Sequence, residues 1–234
     1  MSYKPACSDF NDPDAAEITR FGLASLRASA AIFFWVDGPL AMADIQLEGL
    51  HKQFFDQYAA QMINLDPQHV SKMETSRQSV AQLFPAERIV TSQTELYSNF
   101  LGRHGIVDVI DLLFYNEGAA IAGLGIMKRP SDPPFRRDEF ESACALQRFV
   151  EYNLRRHSRV AQRRLRNILL RDYQLTRREA DVAELAALGR TNAEIAGALE
   201  MSLPTVKTHL LHIMGKTESA NRTHLAANLA RVMN

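Results

Sequence analysis

Lys207, Thr208 and Leu211 lie within five consecutive residues, in a stretch that also carries Pro204, Thr205, His212 and Lys216. On a helix turning 100° per residue, Val206, Leu210, Ile213 and Thr217 share one side. Pro204, Thr208, Leu211 and Gly215 share the opposite side, flanked by Lys207 and His212. That outward side has no acidic group and only small or moderate side chains. An ammonium and a hydroxyl can hydrogen-bond base edges, and a compact apolar side chain can touch a thymine methyl. Such a surface suits the major groove of duplex DNA. A helix kept polar for solubility alone would usually mix Glu with its Lys.

The elements that must hold this helix are legible around it. Thr176-Arg177-Arg178-Glu179 and Thr191-Asn192-Ala193-Glu194 each fit a capping box, in which Thr and Glu satisfy the orphan amides of a helix start. Ser202 stands before Leu203-Pro204, where a proline in the first turn costs no helical bond. Gly189 supplies a stop. Helices are expected at about 177–187, 192–199, 203–214 and 222–232, with fraying after 214 because Gly215 and Thr217-Glu218 support the helix poorly. The corner Glu200-Met201-Ser202 is short enough to force a sharp crossing of the helix-turn-helix kind. Such short helices need a common core, and Val182, Leu185, Ile195, Val206, Leu210 and Leu225 can build one.

Charge is divided along the chain. The 234 residues carry 27 Lys and Arg against 27 Asp and Glu. From Arg155 onward the count is 14 basic against 7 acidic, leaving 13 against 20 before it. A basic terminal segment on an acidic body implies that one end meets a polyanion. Hydrophobic content of 46% suits a folded globular protein. The apolar run 30–36 is far too short to span a bilayer, and the start Met1-Ser2-Tyr3-Lys4-Pro5 has no secretion-signal order, so a cytoplasmic location is expected. Cys7 and Cys144 have no spacing that suggests a metal or redox pair. No HExxH, GxSxG, P-loop or dinucleotide fingerprint occurs, so neither an enzyme nor a cofactor is expected. His209 and His212 lack a third metal ligand.

The first two thirds read as a helix at 14–29, strands at 30–36 and 42–48, and helices at about 50–62, 67–74 and 93–103. Strands at 107–115 and 119–127 follow, joined across Asn116-Glu117-Gly118, a hairpin signal. Between Phe135 and Gly189 no Gly or Pro interrupts the chain, and one long helix at 137–170 is expected to dimerise and to pass a signal onward. This order describes an α+β domain, an antiparallel sheet with packed helices. The expected division is 1–154 sensory, 155–172 a basic helical linker rich in Arg, and 173–234 an all-α four-helix domain.

The motifs Leu175-Thr176-Arg177-Arg178-Glu179, Gly189-Arg190-Thr191-Asn192-Ala193-Glu194-Ile195-Ala196, Ser202-Leu203-Pro204-Thr205-Val206-Lys207-Thr208-His209 and Asn221-Arg222-Thr223 together resemble the LuxR-type helix-turn-helix. The resemblance covers about 175–231 and implies a sequence-specific transcription regulator, dimeric on a pseudo-palindromic operator, with RNA polymerase as an open further partner. By position it implies that Lys207, Thr208 and Leu211 face bases, and that Thr191, Asn192, Thr205 and Lys216 contact the DNA backbone. Ser202 and His212 complete the expected interface. Arg222 is open to two readings, a phosphate contact or a structural pair. Glu200 departs from the pattern by standing where the turn commonly has Gly, and Leu211 where a polar base-reader is common.

The run 108–115 resembles a GAF- or PAS-like sensory fold. A small apolar or aromatic effector is expected there, with Phe33, Trp35, Phe55, Tyr58, Tyr97, Phe100 and Phe114 as candidate contacts and His104 as a polar anchor. The alternatives are that these rings only fill the core, or that the domain dimerises or binds a protein partner without any ligand. Phe54, Tyr58 and Asp66-Pro67 echo the site of the related acyl-homoserine-lactone receptors, with Phe in place of their Trp, which makes a lactone the less favoured effector. A phosphorylated receiver domain would need paired carboxylates at an early strand end, and Asp37 stands alone.

Overall fold

In the computed structural model, residues 12–38, 40–83 and 92–233 are described; Cys7 and the Pro39 of the expected turn lie outside them. The chain divides into two compact units, 1–153 and 154–234.

The first unit contains α1 (Pro13–Ser25), β1 (Ala30–Asp37), β2 (Ala41–Glu48), α2 (Lys52–Gln57, continued by a π-turn at Tyr58–Met62), α3 (Val70–Thr75), β3 (Val80–Gln82), α4 (Ser92–Arg103), β4 (Asp108–Asn116), β5 (Ala119–Lys128) and α5 (Arg137–Leu154). The sheet is antiparallel throughout, in the order β2-β1-β5-β4-β3. The β4–β5 hairpin turns through Glu117 and Gly118, both with positive φ, as a tight two-residue turn requires.

Because strand side chains alternate, the sheet has two different faces. One lies under α1 and α5. Gly22 of α1 comes so near Leu124 and Ile126 of β5 that a Cβ there would sit 3.1 and 3.0 Å from them. Gln147 of α5 donates to the Leu113 carbonyl at 3.0 Å, and Glu151 accepts from the Tyr115 amide at 2.9 Å. The other face carries Ile32, Phe34, Val109, Leu113 and Met127, in one apolar cluster with residues of α2, α3 and α4. At one end of the unit the buried Lys128 ammonium donates to the carbonyls of Leu26 and Arg27, at 2.5 and 2.9 Å, and faces Glu139 at 3.5 Å. A buried cation needs such partners.

The second unit contains α6 (Ser158–Arg171), α7 (Arg177–Ala187), α8 (Asn192–Ala198), α9 (Leu203–Lys216) and α10 (Arg222–Met233). Both capping boxes form, Thr176 with Glu179 and Thr191 with Glu194. Leu165 and Leu169 of α6 are buried in one core with Val182, Ile195, Val206 and Leu225.

Several expectations change. The helix expected at 137–170 is two helices, interrupted at Arg155-Arg156-His157. The His157 ring restarts the chain as an N-cap, its Nδ1 accepting from the Arg159 amide at 3.2 Å. The first helix stops at Ser25 because Arg27 turns to positive φ. The short β3 had no clear pattern of its own. α9 continues past 214 to Lys216, steadied by the Thr217 hydroxyl donating to the Ile213 carbonyl at 2.8 Å. The segment 155–172 contains α6, which shares the core of the second unit, and Arg166 there is held by Asp181 and Glu184 of α7 at 2.9 Å each.

Candidate DNA interface and effector cavity

α9 is anchored by Val206, Leu210 and Ile213, buried to 0, 6 and 0% exposure. Its opposite side leaves Pro204, Lys207, Thr208 and Leu211 exposed, Leu211 at 65%. The Ser202 hydroxyl accepts from the Thr205 amide at 3.2 Å and caps the helix, which has no acidic residue in its first turn. An uncompensated helix N-terminus of this kind favours nearby anions such as phosphate. The Thr208 hydroxyl donates to the Pro204 carbonyl at 3.1 Å, which leaves its lone pairs outward. α8 starts at Thr191, exposed beside a half-buried Asn192.

Three members of the expected interface have internal partners. Lys216 donates to Glu179 at 2.7 Å and to the Gln174 carbonyl at 3.2 Å. His212 faces the other Glu179 oxygen at 3.9 Å while staying exposed. Arg222 donates to the Asn192 side chain at 2.5 Å and to the Arg190 carbonyl. Arg222 thus ties the start of α10 to the start of α8.

The first unit holds a cavity of about 40 Å³ between the sheet and α2–α4. Its walls include Phe34, Phe54, Tyr58, Tyr97, Met73 and Leu113, and its polar lining includes Asp66, Gln68, His69 and Asp111. The π-turn begins at Tyr58, whose hydroxyl donates to Asp66 at 2.8 Å, and Asp66 also accepts from the Gln68 amide at 2.8 Å. Burial raises the Asp66 carboxyl above its ordinary pKa, against the opposing effect of those hydrogen bonds. Burial, and then the Asp66 charge, raise Asp111 well above the usual carboxylate range. Tyr58 and Tyr97 are pushed up by burial and by Asp66. Burial lowers His69, whose Nδ1 lies 2.9 Å from the Ser71 hydroxyl.

Residues 173–229 match the family described as "Bacterial regulatory proteins, luxR family". Residues 173–229 are a LuxR-type DNA-binding domain. Across most of the chain, the "Monoamine regulon transcriptional regulator" of Klebsiella aerogenes is 29% identical over 203 residues, covering 85% of this chain and 82% of that one. The "Uncharacterized transcriptional regulatory protein YhcZ" of Bacillus subtilis is 54% identical over 54 residues, 23% of this chain and 25% of its own length. Among solved structures, SdiA in complex with octanoyl-rac-glycerol superposes at a TM-score of 0.45 with 16% identity, covering 97% of this chain and 90% of that chain.

In the LuxR-type domain the outward side of α9 holds Lys207, Thr208 and Leu211 as a group. The expected effector contacts, by contrast, separate. Tyr58 and Tyr97 line the cavity, together with Phe54 of the lactone-site echo. Phe33, Trp35 and Phe114 belong to the opposite face of the sheet, as strand alternation requires; the Trp35 indole donates to Asp12 at 3.1 Å. Phe55 and Phe100 are buried behind the wall, Phe100 stacked on Phe54 at 5.4 Å between centroids. His104 bonds Gln57 at 3.1 Å, packs half-buried against Phe54 and Phe100, and is not among the described residues lining the cavity. Sequence reasoning missed Asp111, Gln68 and His69. Asp111 had left a signal: it sits between Val109 and Leu113 on the inward register of β4, where an apolar residue is the rule.

Proposed function

We propose that this chain is a homodimeric, cytoplasmic LuxR-type transcription regulator that reads DNA through α9 and responds to a small molecule held in its first unit. The observation that carries DNA reading is the outward side of α9, with Lys207, Thr208 and Leu211 exposed above a buried Val206-Leu210-Ile213 side and no acidic residue along the helix. Thr191, Asn192, Ser202 and Thr205 stand at the starts of α8 and α9, where backbone amides and hydroxyls suit phosphate. Lys207→Ala is expected to weaken binding to the operator by about 1–3 kcal/mol, the value of a good base contact, with unchanged thermal unfolding. Fluorescence anisotropy with a labelled operator duplex measures it, and unchanged affinity would remove Lys207 from the interface.

The cavity supports the effector reading. The Klebsiella relative, named for a monoamine regulon, matches 85% of the chain and so extends well into the first unit. SdiA, the superposed structure, holds octanoyl-glycerol. Pairing with a second copy is favoured by α1 and α5, where Phe21, Phe149 and Tyr152 are 51, 59 and 57% exposed and the two phenyl rings meet at 6.0 Å. Apolar patches of that kind mark interaction surfaces. RNA polymerase remains a natural further partner of a regulator bound at a promoter.

A further inference from the structure

The cavity in the first unit is an acceptor-rich chamber, and its donors and acceptors do not balance. Asp66 and Asp111 both line it, while no Lys or Arg is among its described lining residues. The Lys72 ammonium, which acts on Asp66 through its charge, donates to the backbone carbonyls of Asn64 and Asp66, at 3.2 and 2.6 Å. Asp66 accepts from Tyr58 and from the Gln68 amide, and the Tyr97 hydroxyl also interacts with it. Asp111 has none among the described residues. Its Oδ1 lies over Gly125, close enough that a Cβ at that position would come within 2.7 Å of it, so the missing side chain is what gives the carboxyl its room. An independent sign lies beside them: Gln68 also lines the chamber, and its side-chain oxygen has no hydrogen-bond partner among the described residues, in a residue only 9% exposed. A buried acceptor without a donor is costly, and here one lies beside a half-buried carboxyl that also has no donor among the described residues.

We infer that this chamber takes a protonated primary amine with a small aromatic or apolar body, its ammonium seated among Asp66, Asp111 and the Gln68 oxygen. The proposal rests on the small-molecule reading above and deepens it. An ammonium offers three donors and one positive charge, and a cation seated beside two crowded carboxyls favours their ionised, accepting form, the very form that burial and mutual repulsion disfavour in the empty chamber. Phe54, Tyr58 and Tyr97 offer ring faces to the rest of the molecule, and ring faces also attract a cation. The open space of about 40 Å³ suits the ammonium and its first carbons. Met42, Met73 and Met127 also line the chamber, and their unbranched, adaptable side chains let it widen around a ring. A neutral acyl ligand would bring no charge to either carboxyl.

The test is isothermal titration and thermal unfolding of the full chain at neutral pH. The probes are butylamine, benzylamine, 2-phenylethylamine and 4-hydroxyphenylethylamine, each against the alcohol of matching skeleton, with N-octanoyl homoserine lactone as a separate arm. At least one amine is expected to raise the melting temperature and to bind about tenfold or more tighter than its alcohol, since a hydrogen-bonded charge pair discriminates by that order. D111N is expected to abolish that preference while unfolding at the same or a higher temperature, because no donor depends on the native carboxylate. No response to any amine would overturn the proposal, as would equal binding of amine and alcohol or an amine preference that survives in D111N. Binding of the alcohols or the lactone without the amines would overturn it too, while leaving a small-molecule effector in place. Silence from every probe would count against both.

Discussion

Glu179 gathers most of the ionic chemistry of the LuxR-type domain. One of its oxygens accepts from the Thr176 amide at 2.8 Å, the Thr176 hydroxyl at 3.0 Å and Lys216 at 2.7 Å. Burial alone would raise this carboxyl, but the bonds from Lys216 and Thr176 outweigh it and bring the pKa down to about 2. A carboxyl depressed in the folded state stabilises above its unfolded pKa and loses that contribution as acid protonates it. The domain should therefore lose stability as pH falls from the ordinary 4.5 of Glu towards about 2, and Glu179→Gln should flatten that slope in urea titrations. Lys216→Ala should cost about 1–3 kcal/mol of stability by stranding Glu179. A smaller loss would mean that Lys216 is free to serve DNA instead. Glu200 is a second residue whose cost is visible: its φ of +53° lies in the left-handed region. Glu200→Gly should stabilise by about 1 kcal/mol, read as a shift in the denaturant midpoint. The sequence had marked Glu200 as the odd residue of the turn. It had not shown that Lys216 and Glu179 meet, because residues 37 apart in sequence become neighbours only through tertiary packing.

At the scale of elements, legibility followed how local the cause was. Capping boxes act within four residues, and α7 and α8 begin at the Thr–Glu pairs that announce them. Strands β1, β2, β4 and β5 lie within a residue or so of their expected places, since β-branched and aromatic runs bounded by turns are a local signal. The pause between α5 and α6 was hidden because a His N-cap does its work without Gly or Pro. The division of aromatic residues between two sheet faces was readable in principle from alternation alone, as Phe33, Phe34 and Trp35 show. Which face carries the chamber depends on where α2–α4 pack, and no local pattern states that. The consequence of placing α6 in the second core is testable. A fragment 154–234 should unfold cooperatively, and a fragment 173–234, lacking Leu165 and Leu169, should be less stable by about 2–5 kcal/mol per buried leucine side chain lost. Equal stability of the two would show α6 to be a mere connector.

For the molecule as a whole, the two units have separate cores, and the acidic body and basic end read from the sequence correspond to them. The basic unit that carries α9 attracts a polyanion, and the acidic first unit repels one. β1 also places the chain's only tryptophan next to a chamber wall. Phe34 faces the cavity; Trp35, the following residue, turns to the other side of the same strand, buried to 2% exposure with its indole bonded to Asp12. Indole emission depends on its polar neighbours, so a shift in β1 as the chamber fills should alter the colour or yield of that one fluorophore. The regulator thus carries an unlabelled optical reporter, one residue from the event it would register.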